Sequence, residues 1–149
     1  MWYRICDRIV LISSLEDNND KYLSFGSVIP VVDKENDSWV HTLMPDGKKY
    51  KIEKKRILPY KKKINFEDLV RYAINNIGSP YVWGGKSGYG YDCSGLIQSL
   101  YRFVNIDLLR DCKDQIEDCH LMKIEDGYKI GDLIKANQEG VCLWVLVLI

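Results

Sequence analysis

Residues 78–100 read GSPYVWGGKSGYGYDCSGLIQSL, and this run decides the fold of the second half of the chain. A short apolar stretch, Tyr81-Val82-Trp83, enters a glycine-crowded loop holding Gly84, Gly85, Gly88 and Gly90. The loop delivers Asp92 and Cys93 to the start of a helix. Cys93, Leu96, Ile97, Leu100 and Val104 recur at steps of three and four, the spacing of one helical face. Asp92 stands at the N-cap, where a carboxylate accepts hydrogen bonds from first-turn N–H groups. Cys93 follows at the first helical position, where those groups and the helix dipole favour a thiolate and lower its pKa below the roughly 8.5 of a free cysteine. A sulfur nucleophile is prepared in this way.

The residues leave a second reading open. A cysteine on the apolar face of a helix is commonly a small core residue, and structural cysteines are inert. The glycines weigh toward the nucleophile, because close approach of a backbone or a ligand demands them where ordinary packing does not. A phosphate-binding P-loop does not fit. Gly85-Lys86-Ser87 could end one, but its first glycine would have to stand at Pro80.

The run Pro80-Tyr81-Val82-Trp83-Gly84-Gly85, followed by Asp92-Cys93-Ser94-Gly95-Leu96, resembles the motif of the NlpC-type (NlpC/P60) cell-wall peptidases. The resemblance continues through Arg110, Asp114-Gln115 and Gly131-Asp132-Leu133. It implies a papain-like cysteine peptidase that cuts peptidoglycan stem peptides, commonly beside the γ-linked D-glutamate. By this resemblance Cys93 attacks the amide carbonyl, its backbone N–H helping to hold the oxyanion. Tyr81 helps bind substrate or the oxyanion, Gly84 and Gly85 let backbone line the groove, and Asp92 and Ser94 stand near the substrate amine. Asp92 has helix capping as its other reading. Trp83 is read as core. The resemblance implies no metal and no organic cofactor.

The 149 residues could form one medium domain or two small ones. With 46% apolar and 28% charged residues the chain can bury a core, and its formal net charge of zero implies no bulk attraction to nucleic acid or membrane. Five cysteines, odd in number and without framework or zinc spacing, point to free thiols and a reducing compartment. Ile9-Val10-Leu11-Ile12 is too short for a signal-peptide core or a membrane span. That absence points to the cytoplasm, with extracytoplasmic action the implication of the family resemblance.

Residues 1–63 read as closely spaced strands: Arg8–Ile12, Ser27–Val32, Ser38–Leu43, Lys48–Ile52 and Arg56–Leu58. Turns at 17–20, 34–37 and Pro45-Asp46-Gly47 separate them. Such spacing suggests a small barrel. Gly26-Ser27-Val28, Trp39-Val40 and Asp46-Gly47 resemble a bacterial SH3-like domain. Lys48 to Lys63 holds nine basic residues against Glu53 alone, a run read as a solvated face in preference to a nucleic-acid surface.

Residues 64–149 are then the peptidase domain. A helix is expected from Phe66 to Ile77, capped by Asn65, with Leu69, Val70, Ala73, Ile74 and Ile77 as its buried stripe. Gly78 ends it and Pro80 prevents its resumption. Residues 111–130 read as a short helix and a loop, and strands are expected from Gly131 and over Val141–Ile149.

A thiolate needs an imidazole and a third polar group to orient it. Only two histidines exist. His41 falls among the front strands and reads as an ordinary surface residue. His120 precedes the Gly131-Asp132-Leu133 strand, whereas the family histidine lies on the strand after it, where Trp144 stands. Indole has only an N–H donor and cannot take the proton. Three explanations stay open: a truncated or frame-shifted chain, a relative that binds wall peptides without cutting them, or His120 reaching Cys93 from a rearranged loop.

The reading is therefore α+β. A papain-like domain of helices packed on an antiparallel sheet, incomplete at its C-terminal end, stands behind a small all-β SH3-like barrel. Its expected partners are peptidoglycan-derived peptides.

Overall fold

The computed structural model describes residues 1–118, 127–138 and 141–146, the side chains of 135–138 and 141–146 excepted. The chain divides into two compact units, Met1–Lys63 and Ile64–Ile149.

The first unit is an antiparallel sheet of β1 (Trp2–Ile5), β2 (Ile9–Ser14), β3 (Lys21–Ser24), β4 (Val28–Lys34), β5 (Trp39–Leu43), β6 (Lys49–Glu53) and β7 (Ile57–Pro59). Its strand order is β3-β2-β6-β5-β4-β1-β7. Alternation drives the burial: Val10 and Ile12 point inward on β2 while Leu11 between them is exposed. Ile5, Ile29, Val31, Val40, Tyr50, Ile52 and Ile57 complete one core. The Pro45-Asp46-Gly47 turn joins β5 to β6, with Gly47 at φ +80° and the Met44 N–H donating to the Lys48 carbonyl at 3.0 Å.

Two strands, β1 and β3, were not expected from the sequence. Trp2–Ile5 hides its pattern behind Arg4, which is only 2% exposed. Inside the unit Arg4 donates to the Tyr60 carbonyl and lies 5.0 Å from the centre of the Tyr60 ring. Beside it, burial pushes the Cys6 thiol up to about 12. Four of the nine basic residues of the Lys48–Lys63 run pair with acids of this unit: Lys48 with Asp17, Lys51 with Glu35, Lys55 with Glu53, and Arg56 with Asp7 and Glu53.

The second unit contains α1 (Phe66–Ile74), β8 (Lys86–Ser87), β9 (Gly90–Tyr91), α2 (Cys93–Phe103), α3 (Cys112–Asp118), β10 (Leu133–Gln138) and β11 (Val141–Leu146). It is α+β. Asn65 caps α1 by accepting from the Asp68 N–H at 2.7 Å. The helix stops at Ile74, short of the expected Ile77. Leu69 is buried and Val70 and Ala73 are partly so, but Ile74 and Ile77 are exposed. Ile74 is the exposed last residue of the helix, and beyond it the 3.6-residue period no longer governs which way Ile77 faces. Instead Asn76 turns inward and donates to the Tyr72 carbonyl at 3.0 Å.

Helix α2 buries Ile97, Leu100, Tyr101 and Phe103 and packs against α1, α3, β8, β9 and β11. Tyr72 of α1 meets Phe103 at a 4.7 Å ring separation and Phe66 meets Tyr101 at 5.8 Å, so α1 packs against the cysteine helix. The Tyr101 hydroxyl donates to the Gly131 carbonyl at the entry to β10. Strands β10 and β11 pair antiparallel, with Lys135 opposite Trp144.

Candidate active site

Tyr81 to Tyr91 folds back on itself as a small closed loop. The Tyr91 N–H donates to the Pro80 carbonyl at 3.1 Å, and the Val82 N–H donates to the Tyr91 carbonyl at 3.0 Å. The Gly85 N–H donates to the Val82 carbonyl at 2.8 Å, closing a turn with Gly84 at φ +75° as its third residue. That is the arrangement of a type II turn, in which a left-handed third residue calls for glycine. The loop then docks on the helix start. The Asp92 N–H donates to the Gly85 carbonyl at 3.1 Å, and a Cβ on Gly95 would lie 2.2 Å from that same oxygen. The glycines thus serve the close approach of backbone to backbone, and Gly85 lies inside this contact.

Asp92 caps α2 as the sequence predicts. Its Oδ1 accepts from the Gly95 N–H at 2.7 Å, and its Oδ2 accepts from the Gly84 N–H at 2.9 Å. Arg110 adds a forked pair, Nη2 to Oδ2 at 2.7 Å and Nη1 to Oδ1 at 3.1 Å. Its Nη1 also donates to Ser94 Oγ at 3.0 Å, and that hydroxyl lies 3.3 Å from Asp92 Oδ1 as a further donor. A carboxylate offers about four lone-pair sites, so Asp92 is saturated by the protein itself. Burial pushes the Asp92 carboxyl up, but Arg110 and the Gly95 and Gly84 N–H groups outweigh it and hold the pKa below the ordinary carboxylate value. The hydrogen bond that it donates to Asp92 holds the Arg110 guanidinium above its ordinary value against desolvation, with Asp111 and Cys93 adding smaller contributions of the same sign.

Cys93 is a thiol, partly buried, at the first residue of α2. Ser94 is buried. Tyr81 is exposed and forms an isolated parallel bridge with Tyr91. Trp83, read as core from the sequence, is 88% exposed. A turn with its ends fastened by hydrogen bonds projects its central side chains away from the backbone it closes on. The structure therefore brings Cys93, Asp92, Ser94, Gly84 and Gly85 together, with Tyr81 on the adjoining strand-like segment.

Two further residues support the site. Arg110 was noted only as part of the motif, and its partner was not legible across a gap of 18 residues. Gln115, 1% exposed on α3, donates from Nε2 to the Leu109 carbonyl at 2.7 Å and to the Ser94 carbonyl at 3.4 Å. It ties the segment carrying Arg110 to the first turn of the cysteine helix. Its place in the Asp114-Gln115 part of the motif was the available signal.

His120 lies outside the described residues. His41 sits on β5 in the first unit, its Nε2 3.4 Å from Glu35 Oε2 and its Nδ1 3.8 Å from Asp33 Oδ2. Among the described residues no group of three or more His, Cys, Asp or Glu side chains could hold a metal ion. Contrary to the expectation of free thiols, Cys112 is disulfide-bonded.

Comparison with known proteins agrees with this geometry. The NlpC/P60 family model matches residues 78–147. A gamma-D-glutamyl-L-lysine dipeptidyl-peptidase of Bacillus subtilis is 33% identical over 120 residues, covering 79% of this chain and 40% of the relative. A protein of the same name from Bacillus cereus is 28% identical over 148 residues, covering 92% of this chain and 44% of the relative. The chain thus spans about two fifths of the length of these relatives. The crystal structure of an NlpC/P60 family protein from Bacillus cereus superposes with a TM-score of 0.87 at 21% identity, over 99% of this chain and 51% of that one. At that identity the likeness speaks for the fold. The family model over residues 78–147, which hold Cys93, its Asp92 cap and the closed glycine loop, makes that segment an NlpC/P60 family domain, and the solved structure adds a shared fold.

Proposed function

We propose that the second unit is a cysteine peptidase domain that hydrolyses peptidoglycan stem peptides at a γ-D-glutamyl bond through Cys93. The observation that carries this reading is a thiol at the first position of α2 whose preceding carboxylate is locked by Arg110 and by two backbone N–H groups. The names of the two Bacillus relatives supply the bond. The Cys93 sulfur would add to the amide carbonyl carbon while backbone N–H groups at the helix start hold the oxyanion. Collapse of that intermediate breaks the C–N bond, and the amine leaves with a proton from a general acid. Water then cleaves the thioester. His120 is the candidate for that acid and base. Asp92 and Ser94 form the polar floor beside the nucleophile, and Tyr81 borders it.

A second reading is a family member that binds wall peptides without cutting them. It is favoured by Trp144, which occupies on β11 the place where the family resemblance puts the histidine. We infer further that Met1–Lys63 is an SH3-like barrel that holds wall peptides, on the strength of its seven-stranded antiparallel order and its Asp46-Gly47 hairpin.

The test is incubation of the purified protein and its Cys93→Ala variant with L-Ala-γ-D-Glu-diaminopimelate peptides, with products read by mass spectrometry. Cleavage at the γ-glutamyl bond that disappears in Cys93→Ala supports the peptidase. Retained binding without cleavage selects the second reading, and neither cleavage nor binding rejects both.

A further inference from the structure

Tryptophan is among the most buried residue types on average, yet Trp83 is 88% exposed. Its backbone is fixed on both sides: the Val82 N–H is bonded to the Tyr91 carbonyl, the Gly84 N–H to Asp92 Oδ2 at 2.9 Å, and the Gly85 N–H to the Val82 carbonyl. An indole held out on a fixed turn, next to the residue that precedes Cys93, is a pre-ordered contact surface. Tyr81 and Tyr89 of the same loop are also exposed, at 62% and 57%. Residues 78–91 contain no acid, and Asp92 is already neutralised by Arg110 with its lone pairs filled. A cation arriving at this rim meets aromatic faces, one exposed base at Lys86 and no available carboxylate on the loop, so the aromatic faces are the attractive groups it offers. Aromatic faces attract ammonium groups, Trp most strongly, and also cover the aliphatic chain that carries them.

We propose that Trp83 is a specificity-determining substrate contact, taking the ammonium-bearing side chain of a lysine-type residue in the stem peptide. This rests on the peptidase reading above. The experiment uses the Cys93→Ala background, in which binding is read without turnover, and titrates L-Ala-γ-D-Glu-L-Lys and its Nε-acetyl counterpart by calorimetry. Trp83→Leu keeps an apolar side chain and removes the π face. The expected result is binding of the unmodified peptide weakened about threefold to thirtyfold in Trp83→Leu, with discrimination against the acetylated peptide lost. An unchanged thermal midpoint, expected for so exposed a side chain, shows that the fold is kept. Equal affinity with and without Trp83, or an acetylation penalty that persists in Trp83→Leu, overturns the inference and leaves the peptidase reading standing. No binding of either peptide by either protein overturns both.

Discussion

Arg110 grips both oxygens of Asp92, at 2.7 and 3.1 Å, and so fastens a loop 18 residues downstream to the cap of the cysteine helix. The pair is largely shielded, with 11% of the Asp92 side chain and 29% of the Arg110 side chain exposed. A forked arginine–carboxylate contact is directional as well as strong, so it fixes the orientation of the first turn of α2.

Replacing Arg110 by Met should destabilise the second unit by about 1.5–3 kcal/mol, the range for hydrogen bonds to charged groups. It should also change the acid response. Asp92 has a folded pKa below its unfolded value, so its contribution is fully present above the ordinary carboxylate pKa and is lost as pH falls through the folded one. Without Arg110, burial pushes that carboxyl upward, and the loss should begin at higher pH. Urea unfolding of both proteins at pH 7 and pH 4 measures the shift; parallel curves would contradict it.

Gly95→Ala and Gly84→Ala should fail differently. At Gly95 the new Cβ would lie 2.2 Å from the Gly85 carbonyl oxygen, so the loop must move off the helix, at a cost of about 1–3 kcal/mol. At Gly84 there is open space but a left-handed backbone at φ +75°, costing about 1–2 kcal/mol without displacing a neighbour. Thermal midpoints should drop in both, while peptide binding should fall much further in Gly95→Ala.

Iodoacetamide at neutral pH should separate the thiols. Cys6 is 4% exposed and its pKa is pushed up to about 12, so it should stay unmodified in the native protein. Cys93 is partly buried and should be labelled, and Cys112 should resist until a reductant is added. Tryptic mass mapping before and after denaturation reads all three, and native labelling of Cys6 would count against the packing of β1.

The first unit should tolerate mild acid. Hydrogen bonds from Lys48 hold the Asp17 carboxyl down at about 2, and hydrogen bonds from Lys21 and Tyr50 do the same for Asp46. Their contributions are complete above the unfolded carboxylate pKa of about 3.9 and disappear as pH falls toward 2. Circular dichroism melts should be flat from pH 8 to pH 5 and should decline between pH 4 and pH 2. Asp46→Asn should reduce that decline.

The sequence made the start of the cysteine helix legible because its signals are local. A cap residue, a helical stripe and a glycine loop lie within two dozen residues, and Asn65 likewise announced α1. The hidden parts depend on distant partners. Arg4 is buried because Tyr60 receives it, and that masks β1 in a sequence-only reading. Trp83 looks like core by composition, and only the turn that closes beneath it turns the indole outward. Ile77 keeps a helical spacing past the point where the helix has stopped, at Ile74. Arg110 and Gln115 are ordinary polar residues until the fold brings them to Ser94 and Asp92.

A set of hydrogen bonds within residues 80–95 closes the segment on itself: Tyr91 to Pro80, Val82 to Tyr91, Asp92 to Gly85, and Gly84 and Gly95 to Asp92. This segment is therefore a portable cassette. Grafted onto another helix it would carry the loop geometry around its sulfur with it, and the new host would have to stand in for the guanidinium of Arg110 and the amide of Gln115.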